Sequence, residues 1–179
     1  MPIFAHMGDE MHSDAARAYV VALGYVQSMA AIMGGNTRQQ TEDDIPFVLA
    51  FHMLAGFAVE LYLKSYLYFT GHDENELRGP NLRHNLSNLL EKSKADGLIN
   101  EGADFLVDYL NDHHASFEFR YMKSASTYPV RSLNSIFEAF SSLDVYVDTK
   151  VGASVSQGRT PKGGWPFSPD NNWRMPVSS

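Results

Sequence analysis

Within the most apolar stretch of the chain, GFAVELYLKSYLYFTG (residues 56–71), Glu60 and Lys64 stand four residues apart. On a helix, that spacing and order bring a carboxylate and an ammonium together over one turn. Burying either charge alone costs several kcal/mol, so each needs the other or a further partner. The pair either locks helix packing or projects into a polar pocket between helices. His84, in NLRHNLSNLL, and Arg120, among the aromatics of FEFRYMK, are the residues that could complete such a pocket. An imidazole can take a proton from a ribose 2′-hydroxyl or return one to a leaving oxygen, and a guanidinium can stabilise charge growing on phosphate. Metal-independent RNA cleavage is the chemistry those types allow. An Arg near a Glu is equally well explained as a second ion pair, and spacing alone leaves both readings open.

Other candidate chemistry is thinner. His6 with Glu10 or His12, and the neighbours His113 and His114, are metal-ligand types, but nothing in the sequence completes a site, so surface histidines and no metal are expected. MGGN ends a helix and is not a phosphate loop, because no Lys-Ser/Thr follows it. The chain has no cysteine and no Gly-x-Ser-x-Gly, which removes thiol and nucleophile-elbow chemistry, and no cofactor is expected. The eight methionines and the aromatic stripe read as core.

The net charge is −7 and unevenly placed: residues 1–77 carry three Lys/Arg against ten Asp/Glu, while the rest of the chain is balanced. Such a chain repels phosphate backbones at long range, so duplex DNA is not an expected partner. Arg78, Arg83, Arg120, Lys123 and Arg131 still allow a local anion site, or serve as solvated surface charges.

The elements that must position these residues are helical. Ala16, Tyr19, Leu23, Val26, Ala30 and Met33 follow Ser13, an expected N-cap, at helical spacing and predict a helix over about 13–33. TEDDIP supplies a cap, acidic residues and a first-turn proline for a second helix over about 43–69. That helix is apolar nearly all round, which marks a central, buried element. After the loop GHDENELRGPN, Leu82, Leu86, Leu89 and Leu90 mark a third helix that His84 opens and Gly97 closes. A fourth spans about 101–115. The irregular ASFEFRYMKSASTYP then leads to a fifth, over about 130–150, with Leu133, Ile136, Phe137, Phe140, Leu143 and Val147 inward. No alternating run long enough for a sheet occurs. The fold class is all-α: a bundle of about five helices over residues 1–150, followed by an extended Gly/Pro/Trp-containing arm over 151–179. Both tryptophans, Trp165 and Trp173, lie in the arm and are expected to dock on the bundle or on a partner subunit.

The absence of cysteine suits a reducing cytoplasm. MPIFAHMGDEMHSD lacks the basic-then-apolar pattern of a signal peptide. The apolar run Ile45–Val59 stops at Glu60, short of the roughly 18 residues that span a bilayer. A soluble, cytoplasmic protein is expected.

FAVELYLKSYL, then GPNLRHNLSNLLEKSKADGL, then FEFRYMK and a final amphipathic helix resembles the HEPN domain family, over roughly residues 43–150. By that resemblance Glu60, Lys64, His84, Arg120 and Tyr121 take the family's recurring polar positions. It implies a homodimer with a cleft for RNA or a nucleotide, in a toxin–antitoxin or defence setting where an antitoxin or other protein is a partner. Catalytic members carry an Arg followed shortly by a His near the start of a late helix. In DHHASFEFRY the histidines precede Arg120 instead. The leading expectation is therefore a binding module whose site is Glu60, Lys64, Tyr121, Arg83 and Arg78. A metal-independent endoribonuclease using His84 and Arg120 is the alternative, and a purely structural dimerisation subunit the third.

Overall fold

The computed structural model describes residues 13–116, 130–164 and 172–175. Five helices of ten residues or more make the bundle: α1 (Asp14–Gly34), α3 (Ile45–Phe69), α5 (Leu86–Ala95), α6 (Glu101–Ala115) and α7 (Leu133–Val151). Four-residue turns intervene as α2 (Asn36–Gln39), α4 (Glu74–Leu77) and α8 (Ala153–Ser156). No strand occurs among the described residues, and the protein is all-α.

Local chemistry sets most helix ends. The Ser13 hydroxyl accepts from the Ala16 amide at 3.1 Å, Asn100 caps α6 through the Ala103 amide at 2.8 Å, and Ser132 caps α7 through the Ser135 amide. Each satisfies an amide that the first helical turn leaves without a partner. Gly97, at φ 95°, takes the left-handed conformation that ends α5. Three starts differ from the sequence reading. α7 begins at Leu133 behind its Ser132 cap instead of at about 130. The second long helix begins at Ile45, because Asp44 gives its carboxylate to arginines and not to the helix amides. α5 begins at Leu86 with Asn85 as its cap, so His84 lies two residues ahead of the helix and does not open it.

α3 is the central helix and touches all four other long helices. Phe51, Ala55, Ala58, Val59, Tyr62, Leu63 and Leu67 are fully buried on the faces turned to those helices, whereas the stripe of Leu54, Phe57, Leu61, Lys64 and Tyr68 stays half-buried. Its polar side chains are satisfied inside the bundle. Ser65 donates to the Ala15 carbonyl at 2.8 Å, and the Tyr62 hydroxyl donates to Asp144 on α7 at 2.7 Å. Burial pushes the Asp144 carboxyl up and holds the Tyr62 hydroxyl in its protonated form. By length and composition Asp14–Gln39 and α3 are long enough to cross a bilayer, where the sequence reading placed the limit at Glu60. Half of the most apolar window of α3 is buried against protein, as in a core helix.

The C-terminal arm docks on the bundle through residues 172–175. Trp173 meets Phe51 edge-on at 5.0 Å and lies nearly parallel to His52, at 14° and 5.7 Å, while its indole N–H donates to the Arg131 carbonyl. Arg174 joins buried Arg38 on the fully buried Asp44 carboxylate. Burial raises the Asp44 pKa, but the hydrogen bonds from both guanidiniums outweigh it and hold the group down to about 2. Trp165 lies outside the described residues.

Candidate functional site

Glu60, in the middle of α3, collects side chains from three segments. Its Oε1 accepts from Lys64 Nζ at 2.6 Å, one turn along the same helix. Its Oε2 receives His84 Nδ1 at 3.1 Å from the α4–α5 loop and His114 Nε2 at 2.9 Å from the last turn of α6. Lys64 also donates to the Arg83 carbonyl at 2.9 Å, which ties the loop carrying His84 to α3. Glu60 and His114 are buried, with side chains 7% and 4% exposed, whereas the His84 side chain is 28% exposed and forms the solvent side. Burial works against the Glu60 carboxylate, yet the bonds from His114 and Lys64, the Lys64 charge and the bond from His84 hold it down to about 2. It is an anion throughout the neutral range.

Gly56 explains how α6 comes close enough. It lies one turn before Glu60 on the same face, and a Cβ there would stand 2.3 Å from His114 Nδ1. The imidazole occupies the space that a side chain would need, and Phe57 packs edge-on against it at 5.4 Å. His114 was expected to be a surface histidine, and the structure corrects this. The signal lay in the helical stripe Ala103, Leu106, Leu110, His114, all buried on one face of α6.

The other expected site residues are distributed differently. Arg83 contributes its backbone carbonyl, and its side chain points outward. Arg78 is an exposed partner of Glu74 at 2.6 Å. Arg120 and Tyr121 lie outside the described residues, as do His6, Glu10 and His12. His113 is half-buried and lies outside the cluster of Glu60, His84 and His114.

Lys64 links the Glu60 cluster to a groove of about 310 Å³ between α1, α3 and α4. Arg17, Lys64 and Arg78 face it as cations, Asp14 and Glu74 as anions, and Tyr68, Leu61, Val21 and Leu77 form its apolar side. Both arginines are held by exposed ion pairs, Arg17 with Asp14 and Arg78 with Glu74.

A second polar cluster, at the other end of α3, is closed. His52 donates through Nδ1 to the Val48 carbonyl at 2.6 Å, so Nε2 accepts from the Tyr109 hydroxyl. That hydroxyl accepts in turn from the Arg131 amide at 3.2 Å. With Trp173 over the ring, this cluster anchors the arm.

No protein-family model matches the chain, and neither a curated protein nor a solved structure is detectably similar to it.

Proposed function

We propose that this is a HEPN-like helical domain that binds RNA or a nucleotide at the interhelical groove beside the Glu60 cluster. The observation that carries this reading is the position of Lys64, which belongs to both. Arg17 and Arg78 flank it as phosphate ligands, and Tyr68 with Leu61 and Val21 supplies a flat apolar wall for a base. Exposed ion pairs contribute little to stability, so a phosphate can draw Arg17 and Arg78 away from Asp14 and Glu74 at small cost. Guanidinium–phosphate bonds are charge-assisted and paired in geometry, which favours arginine for this role. The groove is at the small end for a ligand site and suits one nucleotide unit.

The test is binding of ATP and of a single-stranded oligoribonucleotide, followed by fluorescence anisotropy and by thermal stabilisation of the protein. Arg17→Ala combined with Arg78→Ala removes two charge-assisted contacts on exposed residues. It is expected to weaken binding by roughly 10- to 100-fold with an unchanged thermal midpoint of the free protein. Equal affinity of parent and double variant, or no binding by the parent, overturns the reading. Cleavage of the RNA without added metal, lost in His84→Ala, would identify the ribonuclease reaction instead.

A further inference from the structure

We propose that Glu60, His84 and His114 form a binding site for a divalent transition-metal ion of the Zn2+ class. The inference shares Lys64 with the groove reading but does not rest on ligand binding there, because its donors include none of Arg17, Lys64, Arg78 or Tyr68.

The donor set is the first argument. One carboxylate oxygen and two imidazole nitrogens, drawn from α3, the α4–α5 loop and α6, all lie within 4.8 Å of one another. Two imidazoles and one carboxylate suit Zn2+ and its first-row neighbours, whereas Mg2+ and Ca2+ require oxygen ligands. The spacing is the second argument. Oε2 of Glu60 stands 3.1 Å from His84 Nδ1 and 2.9 Å from His114 Nε2. Metal–ligand bonds of about 2.0–2.1 Å in a tetrahedron separate neighbouring donors by about 3.3 Å. The two imidazole nitrogens lie within 4.8 Å of each other, so an ion taken by both rings, each with its proton on the other nitrogen, needs them drawn toward that spacing, and the half-buried His84 ring is the one with room to move.

The surroundings are built for this arrangement. Gly56 leaves the space that His114 fills, so the buried imidazole is held against Glu60 by backbone and not by a mobile contact. Lys64 bonds Oε1 and leaves Oε2 as the single carboxylate donor. His84 lies on the solvent side, which gives the ion a path in and a water in the fourth position. Three protein donors and one open position are the pattern of sites that act on a bound ligand, in contrast to closed four-donor structural sites.

The experiment uses the full-length chain without a polyhistidine tag, stripped with a chelator and titrated with Co2+. Expected is visible d–d absorption of tetrahedral Co2+ that saturates at one ion per chain, is displaced by Zn2+ and is not produced or competed by Mg2+. His84→Ala, at a half-exposed position, should keep the helical circular dichroism. It should weaken Co2+ binding by more than the roughly 10- to 100-fold that loss of a supporting hydrogen-bond partner causes. His114→Gln should do the same, and His72→Ala, which removes an imidazole held by Glu76 and Asp96 elsewhere on the surface, should leave binding unchanged. Absence of saturable absorption in the parent, or absorption that persists in both His84→Ala and His114→Gln, overturns the site. Absorption retained in the Arg17→Ala and Arg78→Ala double variant, with nucleotide binding lost, supports both sites as separate.

Discussion

The ring of His114 lies where a side chain on Gly56 would begin: a Cβ added to Gly56 would stand 2.3 Å from His114 Nδ1. One turn further along α3, Glu60 receives the same imidazole through Nε2 at 2.9 Å. Two positions four residues apart thus determine how closely α6 approaches the central helix and where its histidine points. The missing side chain and the carboxylate form one device.

Gly56→Ala separates propensity from packing. In a helix interior Ala is favoured over Gly by about 1 kcal/mol. Here the added methyl meets an imidazole that is buried and held on its far side by Glu60. Overpacking of this kind costs about 1–3 kcal/mol, so the variant is expected to lose stability despite its better propensity. Combining it with His114→Ala opens the space, and the two effects should be strongly non-additive. Urea midpoints of the two single variants and the double variant check this. Additive losses would show that the two positions do not interact.

The arm is predicted to depend on Asp44. Asp44→Ala leaves buried Arg38 without its carboxylate, and removing one partner of a buried pair typically costs about 3–5 kcal/mol. Arg174→Ala leaves the Arg38–Asp44 pair in place, so a smaller loss is expected, together with faster proteolysis of the chain after residue 164. Trp173→Ala should produce a similar exposure by removing the contacts with Phe51 and His52. Chemical denaturation combined with limited proteolysis distinguishes the two effects. Equal losses in Asp44→Ala and Arg174→Ala would contradict the ranking.

Stability is expected to fall with acid in two separable windows. Burial pushes His52 down from 6.5 to about 4; the Val48 hydrogen bond opposes this, and repulsion from His113 adds to it. The unfolded chain therefore takes up this proton before the folded one. The stabilisation is fully present above pH 6.5 and is lost as the pH falls toward 4. In that window His52→Gln should show a stability slope shallower by about 1.4 kcal/mol per pH unit. Glu60 and Asp44, both held at about 2, add a second loss below their ordinary values of 4.5 and 3.8. Denaturation midpoints between pH 8 and 3 test both, and an unchanged slope in His52→Gln would refute the first.

By itself the sequence determined the helices. Their apolar spacing and capping residues act over one or two turns, so α1 with its Ser13 cap and the bounds Glu101–Ala115 of α6 were readable without a fold. The same locality made the Glu60–Lys64 pair readable, since both residues stand on one helix a turn apart. Only the tertiary structure decided which distant groups join them. His113 and His114 are neighbours of identical type, about 100° apart around α6, and only the packing of α6 on Gly56 selects His114. Asp44 has the composition of a helix cap, but Arg38 and Arg174, the latter 130 residues away, claim its carboxylate. Hydrogen bonds within a turn follow from the residues that make them. Those between segments depend on where whole helices cross, and that is set by the summed fit of the core.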